Sequence, residues 1–312
     1  DGIGPPRVAI TSITEKDWSD IELGCEQGFD FVALSFVRCA KDIEDVRDFI
    51  QKKKGAMQVI AKIENGEALE NIVEIIEAAD GLMVARGDLG SEIPFEKVPA
   101  VQDELVARCR NAGKPVIVAT HMLESMIHSP LPTRAEVTDI AHAAVTGSDC
   151  TMLSGETASG AFPHRALNTM HRVLLETEKA RLHAAIYIDD EEEGMPPQAH
   201  AVAAMTMATE LKATAIVVFT KSGGIAKAVS RLRPTVPVLA FMDEGSIERN
   251  AQMYFGIEPL HLEIDSTEKT VEKGIAILKK KMLVGSGDHV VIISPAAEHD
   301  RSVRTVRSYM VP

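Results

Sequence analysis

Leu82-Met83-Val84-Ala85-Arg86-Gly87-Asp88-Leu89-Gly90 is an apolar run of strand length that stops abruptly at a cation, a glycine and a carboxylate. Successive apolar residues present hydrophobic side chains to both faces of a sheet, the pattern of a parallel strand covered on both sides. Four further runs have the same form: Phe31 to Phe36, Val59 to Ile63, Val116 to Ala119 and Cys150 to Leu153. They recur roughly every 23 to 35 residues, the span of a strand and its returning helix. Between them Ile43, Val46, Phe49 and Ile50 keep one apolar face, as do Leu69, Ile72, Val73 and Ile76. Thr14 with Asp17 has the spacing of a capping box ahead of a helix.

An open doubly wound sheet and a (β/α)8 TIM barrel both fit such alternation. The polar residues favour the barrel, because every run ends in reactive chemistry: Ser35 and Arg38, Lys62 and Glu64, Arg86 and Asp88, Thr120, and Ser154 with Glu156. A barrel gathers the carboxyl ends of its strands around one mouth. Five strands make a partial barrel, and the residues before Phe31 supply a helix but no strand of comparable quality.

The composition breaks at Asp189 to Glu193, a run of like charge followed by Gly194, Met195, Pro196 and Pro197. The expected division is a partial TIM-barrel domain over residues 1–188, an acidic and proline-containing linker over 189–197, and a smaller open α/β domain over 198–312. In that second domain strands are expected at Ala215 to Phe219, Val236 to Phe241, Pro259 to Leu262 and His289 to Ser294, with helices between them.

At 312 residues, 45% hydrophobic and 25% charged, the chain reads as a two-domain globular protein. No apolar run approaches the ~20 residues of a membrane span, and Asp1 to Pro6 carries neither signal-peptide nor transit character. The net charge of −13 argues against nucleic acid and anionic membranes as partners. The residues before 196 carry 19 Lys/Arg against 34 Asp/Glu, a balance of −15, and those from 196 onward a balance of +2, so the acidic part is a setting suited to a divalent cation. Cys25, Cys39, Cys109 and Cys150 lack paired spacing and are expected to be free thiols in a reducing compartment.

Lys62-Ile63-Glu64 places an ammonium and a carboxylate on one side of a strand tip, where they can hold a metal and an oxyanion or simply close the strand as an ion pair. Arg86-Gly87-Asp88 puts a second carboxylate on the neighbouring tip, close enough to share a cation with Glu64, with a plain helix cap as the structural alternative. Thr120, Ser154 and Glu156 add hydroxyls and a third carboxylate to the rim. Met122 and Met126 read as core residues, His121 as a rim residue, and Pro132 to Glu136 as a helix start. Thr220-Lys221-Ser222-Gly223 runs from a strand into a helix and reads as a phosphate cradle or a simple turn, without the spacing of a nucleotide P-loop.

In order and spacing, residues 60–65, 83–90, 119–126, 132–137 and 152–157 resemble the pyruvate kinase family, and the likeness continues through Thr220 to Gly223 toward the C-terminus. Residues 12–18 resemble its plastid-type branch. The resemblance implies a glycolytic phosphotransferase that moves the phosphoryl group of phosphoenolpyruvate to ADP, giving pyruvate and ATP. It implies Glu64 and Asp88 as ligands of Mg2+ (or Mn2+), Lys62 as the group stabilising phosphoryl charge, and Ala85, Arg86, Gly87 and Asp88 as the lining of the substrate pocket. It further implies Thr120 at the site of enolate protonation, Ser154 and Glu156 behind it, and Thr220, Lys221, Ser222 and Gly223 as an allosteric sugar-phosphate site. A homotetramer in the cytoplasm, or in the plastid stroma, follows from the same resemblance.

Three departures qualify it. In the family's pattern this chain starts after the third barrel strand and the lid, so the K+ ligands, a catalytic arginine and the nucleotide-covering lid fall outside it, and the chain by itself is not expected to turn over. Ile225 and the tail from Ser294 to Arg307 do not fit fructose-bisphosphate activation, leaving a sugar monophosphate as the expected effector. His121 replaces a more usual amide. The competing readings are a truncated non-catalytic paralogue serving as a binding or assembly subunit, and a Mg2+-dependent barrel lyase or aldolase acting on pyruvate enolate.

Overall fold

A computed structural model describes residues 13–181, 199–264, 268–298 and 301–312. The expected linker at 189–197 and the N-terminal hexapeptide lie outside the described residues. The chain divides into two units, Asp1–Gln102 and Asp103–Pro312.

In the first unit, α1 (Glu15–Glu26) opens with the expected reciprocal box between Thr14 and Asp17. Trp18 meets Phe49 at 4.8 Å between ring centroids, seating α1 against α2 (Ala40–Lys52). Strands β1 (Phe31–Leu34), β2 (Gln58–Ile63) and β3 (Gly81–Ala85) are parallel neighbours, with Leu34 level with Ala61 and Ile63 level with Val84. Every residue of β3 is buried, as a strand covered on both faces requires. Helices α3 (Gly66–Glu70) and α4 (Ile72–Ala78) return from β2, and α5 (Arg86–Glu92) follows β3 without a loop. Helix α6 (Val98–Asn111) runs on into the second unit.

The second unit begins with β4 (Val116–Ala119), α7 (Arg134–Thr146), β5 (Cys150–Met152), the one-turn α8 (Gly155–Ala158) and α9 (Pro163–Arg181), with β4 and β5 parallel. Helix α7 starts within the expected Pro132 to Glu136 segment, where Thr133 is the cap and Glu136 closes a reciprocal box with it. The second sheet comprises β6 (Ala215–Phe219), β7 (Val238–Met242), β8 (Ile257–His261), β9 (His289–Glu298) and β10 (Arg301–Met310), in the order β10-β9-β6-β7-β8. All pairings are parallel except β10 on β9. Helices α10 (Ala199–Glu210) and α11 (Gly224–Arg231) pack on one face of this sheet and α13 (Glu268–Lys280) on the other, while α12 (Gly245–Ala251) joins β7 to β8. Phe219 and Phe241 stack at 5.0 Å under α13. Gly274 is the residue that lets the helix come this close, because a Cβ there would stand 2.7 Å from the Phe219 ring.

Two expectations need correction. Strand β7 starts at Val238 rather than Val236, since Pro237 offers no N–H to a ladder. Strand β10 was not foreseen: it is an edge strand carrying Arg304 and Arg307, charges that blunt an exposed sheet edge and also hide its apolar alternation.

Candidate active site

The tip of β2 carries the first cluster. Glu64 is 1% exposed, and its Oε2 accepts the backbone N–H of Phe36 at 2.7 Å. Lys62 Nζ stands 2.7 Å from Glu64 Oε1 and also donates to Ser35 Oγ at 2.7 Å. The tips of β1 and β2 are therefore tied through one ammonium and one carboxylate. Phe36 adopts φ 54, a left-handed conformation unusual for a bulky residue, and this is what turns its N–H onto Glu64. Asn65 fixes the exit from the strand: its Oδ1 accepts from Ala68 N and its Nδ2 donates to the Val37 carbonyl.

From β3 the backbone passes directly into α5, whose first turn contains Arg86, Gly87 and Asp88. The parallel register ends with Ile63 level with Val84, so Glu64 and Ala85 are the residues that directly follow the paired ends of β2 and β3. Arg86 Nη1 donates to the buried Gln102 Oε1 at 3.2 Å. Among the described residues no group of three or more His, Cys, Asp or Glu could hold a metal. Two carboxylates completed by substrate and water oxygens remain the usual arrangement for Mg2+. Glu64 suits that role: Oε1 is buried, takes no well-aligned hydrogen bond, and is a hard anionic donor. Asp88 is exposed and acidic in the adjoining helix turn.

In the second unit, Thr120 and His121 directly after β4 adopt φ 71 and φ 55. Two consecutive left-handed residues without a glycine are strained, and such strain concentrates where function over-determines the backbone. Thr120 is half-buried and its Oγ1 donates to the Ala119 carbonyl at 2.6 Å. Glu156, expected as a third rim carboxylate, is 1% exposed and commits both oxygens to backbone: Oε1 accepts from Leu123 N at 2.9 Å and Oε2 from Ser154 N at 2.7 Å. It clamps the loop after β4 to the loop after β5 and so positions Thr120 and Ser154. Met122 and Met126 are fully buried, as expected of core residues.

Glu136 does more than cap α7. It accepts from Ser125 N and Oγ at 2.7 and 2.6 Å and from Thr133 N and Oγ1 at 2.7 and 2.9 Å. Burial pushes its carboxyl up, but the hydrogen bonds from Ser125 and Thr133 outweigh this and hold it below the ordinary 4.5. The sequence showed Thr133 and Glu136 as a helix start. It gave no sign that Glu136 also anchors the turn at Ser125, nor that Ser35 and Phe36 hold Lys62 and Glu64.

The Thr220 to Gly223 loop enters α11 through Gly223 at φ +75. Thr220 is buried, and its Oγ1 accepts the Gly223 N–H at 3.2 Å, while Ser222 Oγ accepts that of Gly224 at 3.5 Å. These two N–H groups, expected to be unpaired, are thus engaged inside the loop. Lys221 is exposed, 3.9 Å from Asp243. All four cysteines are free thiols, and among the described residues no helix is long and apolar enough to cross a membrane.

Comparison with known proteins bears on all of this. Residues 3–167 match the family model "Pyruvate kinase, barrel domain" and residues 198–303 match "Pyruvate kinase, alpha/beta domain". The chain is 41% identical to plastidial pyruvate kinase 3 of Arabidopsis thaliana, covering 93% of this chain and 51% of that protein. It is also 41% identical to pyruvate kinase isozyme G of Ricinus communis, covering 93% and 69%, and 42% identical to the pyruvate kinase of Geobacillus stearothermophilus, covering 93% and 51%. A crystal structure of a pyruvate kinase from Cryptosporidium parvum superposes with a TM-score of 0.89 at 35% identity, covering 98% of this chain and 63% of that one. The chain spans about half the length of most of these curated relatives. The matches bear out the fold read from the sequence, five strands of a TIM barrel followed by a smaller α/β domain.

Proposed function

The chain belongs to the pyruvate kinase family, and from that membership we propose that it serves the transfer of a phosphoryl group from phosphoenolpyruvate to ADP, with pyruvate and ATP as products. The observation that carries this reading is the tip of β2, where Lys62 is held at 2.7 Å by the buried Glu64 and at 2.7 Å by Ser35. Phosphoryl transfer asks little covalent chemistry of a protein and a great deal of positioning and charge neutralisation. An ammonium fixed by a carboxylate on one side and a hydroxyl on the other meets that need.

In this mechanism the enol oxygen–phosphorus bond of phosphoenolpyruvate breaks while a β-phosphate oxygen of ADP bonds to phosphorus. Lys62 faces the transferring group and offsets its charge. Ala85, Arg86 and Gly87 line the pocket for the substrate carboxylate. The enolate left behind takes a proton at its methylene carbon, and Thr120 with Ser154 orders the donor side, held in place by Glu156. Glu64 and Asp88 would hold Mg2+ or Mn2+, which supplies Lewis-acid neutralisation of the phosphate and carboxylate oxygens. The family's K+ is assigned no residue of this chain.

Thr220, Lys221, Ser222 and Gly223 form the proposed effector loop, with a sugar monophosphate as ligand. A homotetramer is supported by Val145, Leu167 and Leu175, apolar side chains 42%, 57% and 42% exposed on α7 and α9. Four free thiols suit a reducing compartment, cytoplasm or plastid stroma. The test is a lactate-dehydrogenase-coupled assay, with phosphoenolpyruvate, ADP, Mg2+ and K+, of this chain within a complete enzyme that carries the remaining barrel strands and the lid. Pyruvate release that requires both ADP and the divalent cation supports the assignment, and release independent of ADP overturns it.

A further inference from the structure

A cavity of about 560 Å³ lies between the first half of α9 and the turn that leads into α7, a volume in the range of small-molecule sites. Pro130 and Leu131 of the turn form its apolar wall, and Leu131 is 71% exposed. The opposite wall is polar and comes from α9. Arg165, Asn168, Thr169 and Arg172 line it at the i, i+3, i+4, i+7 spacing of one helical stripe, with His171 beside them. The stripe borders the packed face of α9, where Ala166 and Met170 are buried, so Thr169 is only 8% exposed while both arginines stay open to solvent.

No carboxylate lines this cavity. Among the described residues neither Arg165 nor Arg172 forms an ion pair, and Glu176, one turn beyond Arg172, is engaged by Lys179 at 2.8 Å. His171 acts on Glu178, whose carboxyl burial raises and the imidazole lowers, but Glu178 lies outside the lining. In a chain of net charge −13 this is a local reversal of sign, and it contrasts with Arg47 on Asp80 and Arg233 on Asp149. The apolar wall is set in place. Ser129 Oγ donates to the Leu131 carbonyl at 2.8 Å and accepts the Leu131 N–H at 3.2 Å, Ser129 N donates to the Ser125 carbonyl at 2.9 Å, and Ala161 N donates to the Ile127 carbonyl at 2.8 Å.

We propose that this cavity binds a small amphipathic anion, an oxyanion head group on a compact apolar body. Arginine forks are the donors best matched to the oxygens of a carboxylate or a phosphate, and Asn168 adds an amide donor on the same stripe. Two guanidinium groups facing one cavity repel each other, and a bound oxyanion turns that repulsion into attraction. The volume exceeds what an inorganic ion fills, and Pro130 and Leu131 offer the remainder of the space an apolar contact. None of the lining residues belongs to the candidate active site or to the Thr220 to Gly223 loop, so the cavity is a further site on the chain.

The experiment is titration calorimetry of the protein with phenyl phosphate, benzoate, phenol and inorganic phosphate. Saturable binding of phenyl phosphate or benzoate is expected, at least about tenfold tighter than that of phenol, which lacks the charge, or inorganic phosphate, which lacks the apolar body. The tighter of the two ring anions identifies phosphate or carboxylate as the head group. The R165Q/R172Q variant is expected to weaken that binding at least about tenfold, the loss of two charge-assisted hydrogen bonds being sufficient. Lys221→Gln is expected to leave it unchanged, which separates the cavity from the Thr220 to Gly223 loop. Circular dichroism checks that each variant is folded, and sedimentation velocity that its association state is that of the original protein. Absence of saturable binding, an affinity insensitive to R165Q/R172Q, or ring anions that bind no tighter than phenol or inorganic phosphate overturns the proposal. A loss of binding that accompanies a changed association state also overturns it, because the arginines then serve a contact between copies. The readout does not involve turnover, so it fails or succeeds independently of the catalytic reading.

Discussion

Arg233 reaches back from the residues after α11 to Asp149 at the foot of β5, Nη1 to Oδ1 at 2.7 Å, with both side chains 5% exposed. The pair joins the part of the second unit that precedes the expected linker to the part that follows it. Asp149 takes two backbone N–H groups as well, so removing either partner strands a buried charge. Arg233→Ala or Asp149→Ala is expected to lower the unfolding free energy by about 3–5 kcal/mol in urea titrations. A loss under about 1 kcal/mol would show that the pair is solvated and carries no structural weight.

Within a complete enzyme carrying the remaining barrel strands and the lid, Lys62→Met is expected to reduce ADP-dependent pyruvate formation by at least about 10²-fold, the scale on which a preorganised charge in a phosphoryl-transfer site acts. Glu64 keeps its hydrogen bond from Phe36 in the variant, so the fall in rate should far exceed any fall in folded fraction. Ser35→Ala, which leaves the ammonium on Glu64 but frees its other side, should give an intermediate rate. A Lys62→Met rate within a few-fold of the original removes Lys62 from the mechanism.

The parallel strands were legible because both of their faces are buried, which leaves uninterrupted apolar runs such as Leu82 to Ala85. Lys62 and Glu64 were legible for the complementary reason, since charge at the end of an apolar run interrupts the pattern. What could not be read were partners supplied by backbone. Nothing in the spacing of Phe36 or Leu123 shows that their N–H groups will meet Glu64 and Glu156, because those meetings depend on left-handed turns at Phe36, Thr120 and His121. For the same reason Glu156 read as a reactive carboxylate, although its oxygens are occupied by main chain. Strand β10 escaped because edge charge masks alternation.

Acid stability should depend on Glu136. Its folded carboxyl lies below the unfolded value of 4.5, so its contribution is present above about pH 4.5 and is lost as pH falls through the folded value. Glu136→Gln should therefore flatten the fall of thermal stability as the pH drops below about 4.5, and Ser125→Ala should flatten it in part. An unchanged acid limb in both variants would show that the hydrogen bonds from Ser125 and Thr133 do not favour the ionised form.

The basic limb should depend on Cys150. Burial pushes its thiol up to about 12 from the ordinary 9.0, the charge of the adjacent Asp149 adds to the rise, and Arg233 opposes it. The Sγ–H donates to the Met253 carbonyl at 3.5 Å, a contact that only the protonated thiol can make. Because the folded value exceeds the unfolded one, the unfolded chain loses its proton first, and the stabilisation present below pH 9 declines as pH rises from 9 toward 12. Cys150→Ala should reduce that slope. The same protonation leaves no nucleophilic thiolate near neutrality, so iodoacetamide at pH 8 should spare Cys150 in the folded protein and modify it only after unfolding, as mass spectrometry of tryptic peptides would register. Rapid labelling of Cys150 in the folded state would show that the wall between β5 and the segment before Phe255 opens to solvent, and would also undercut the buried Asp149–Arg233 pair beside it.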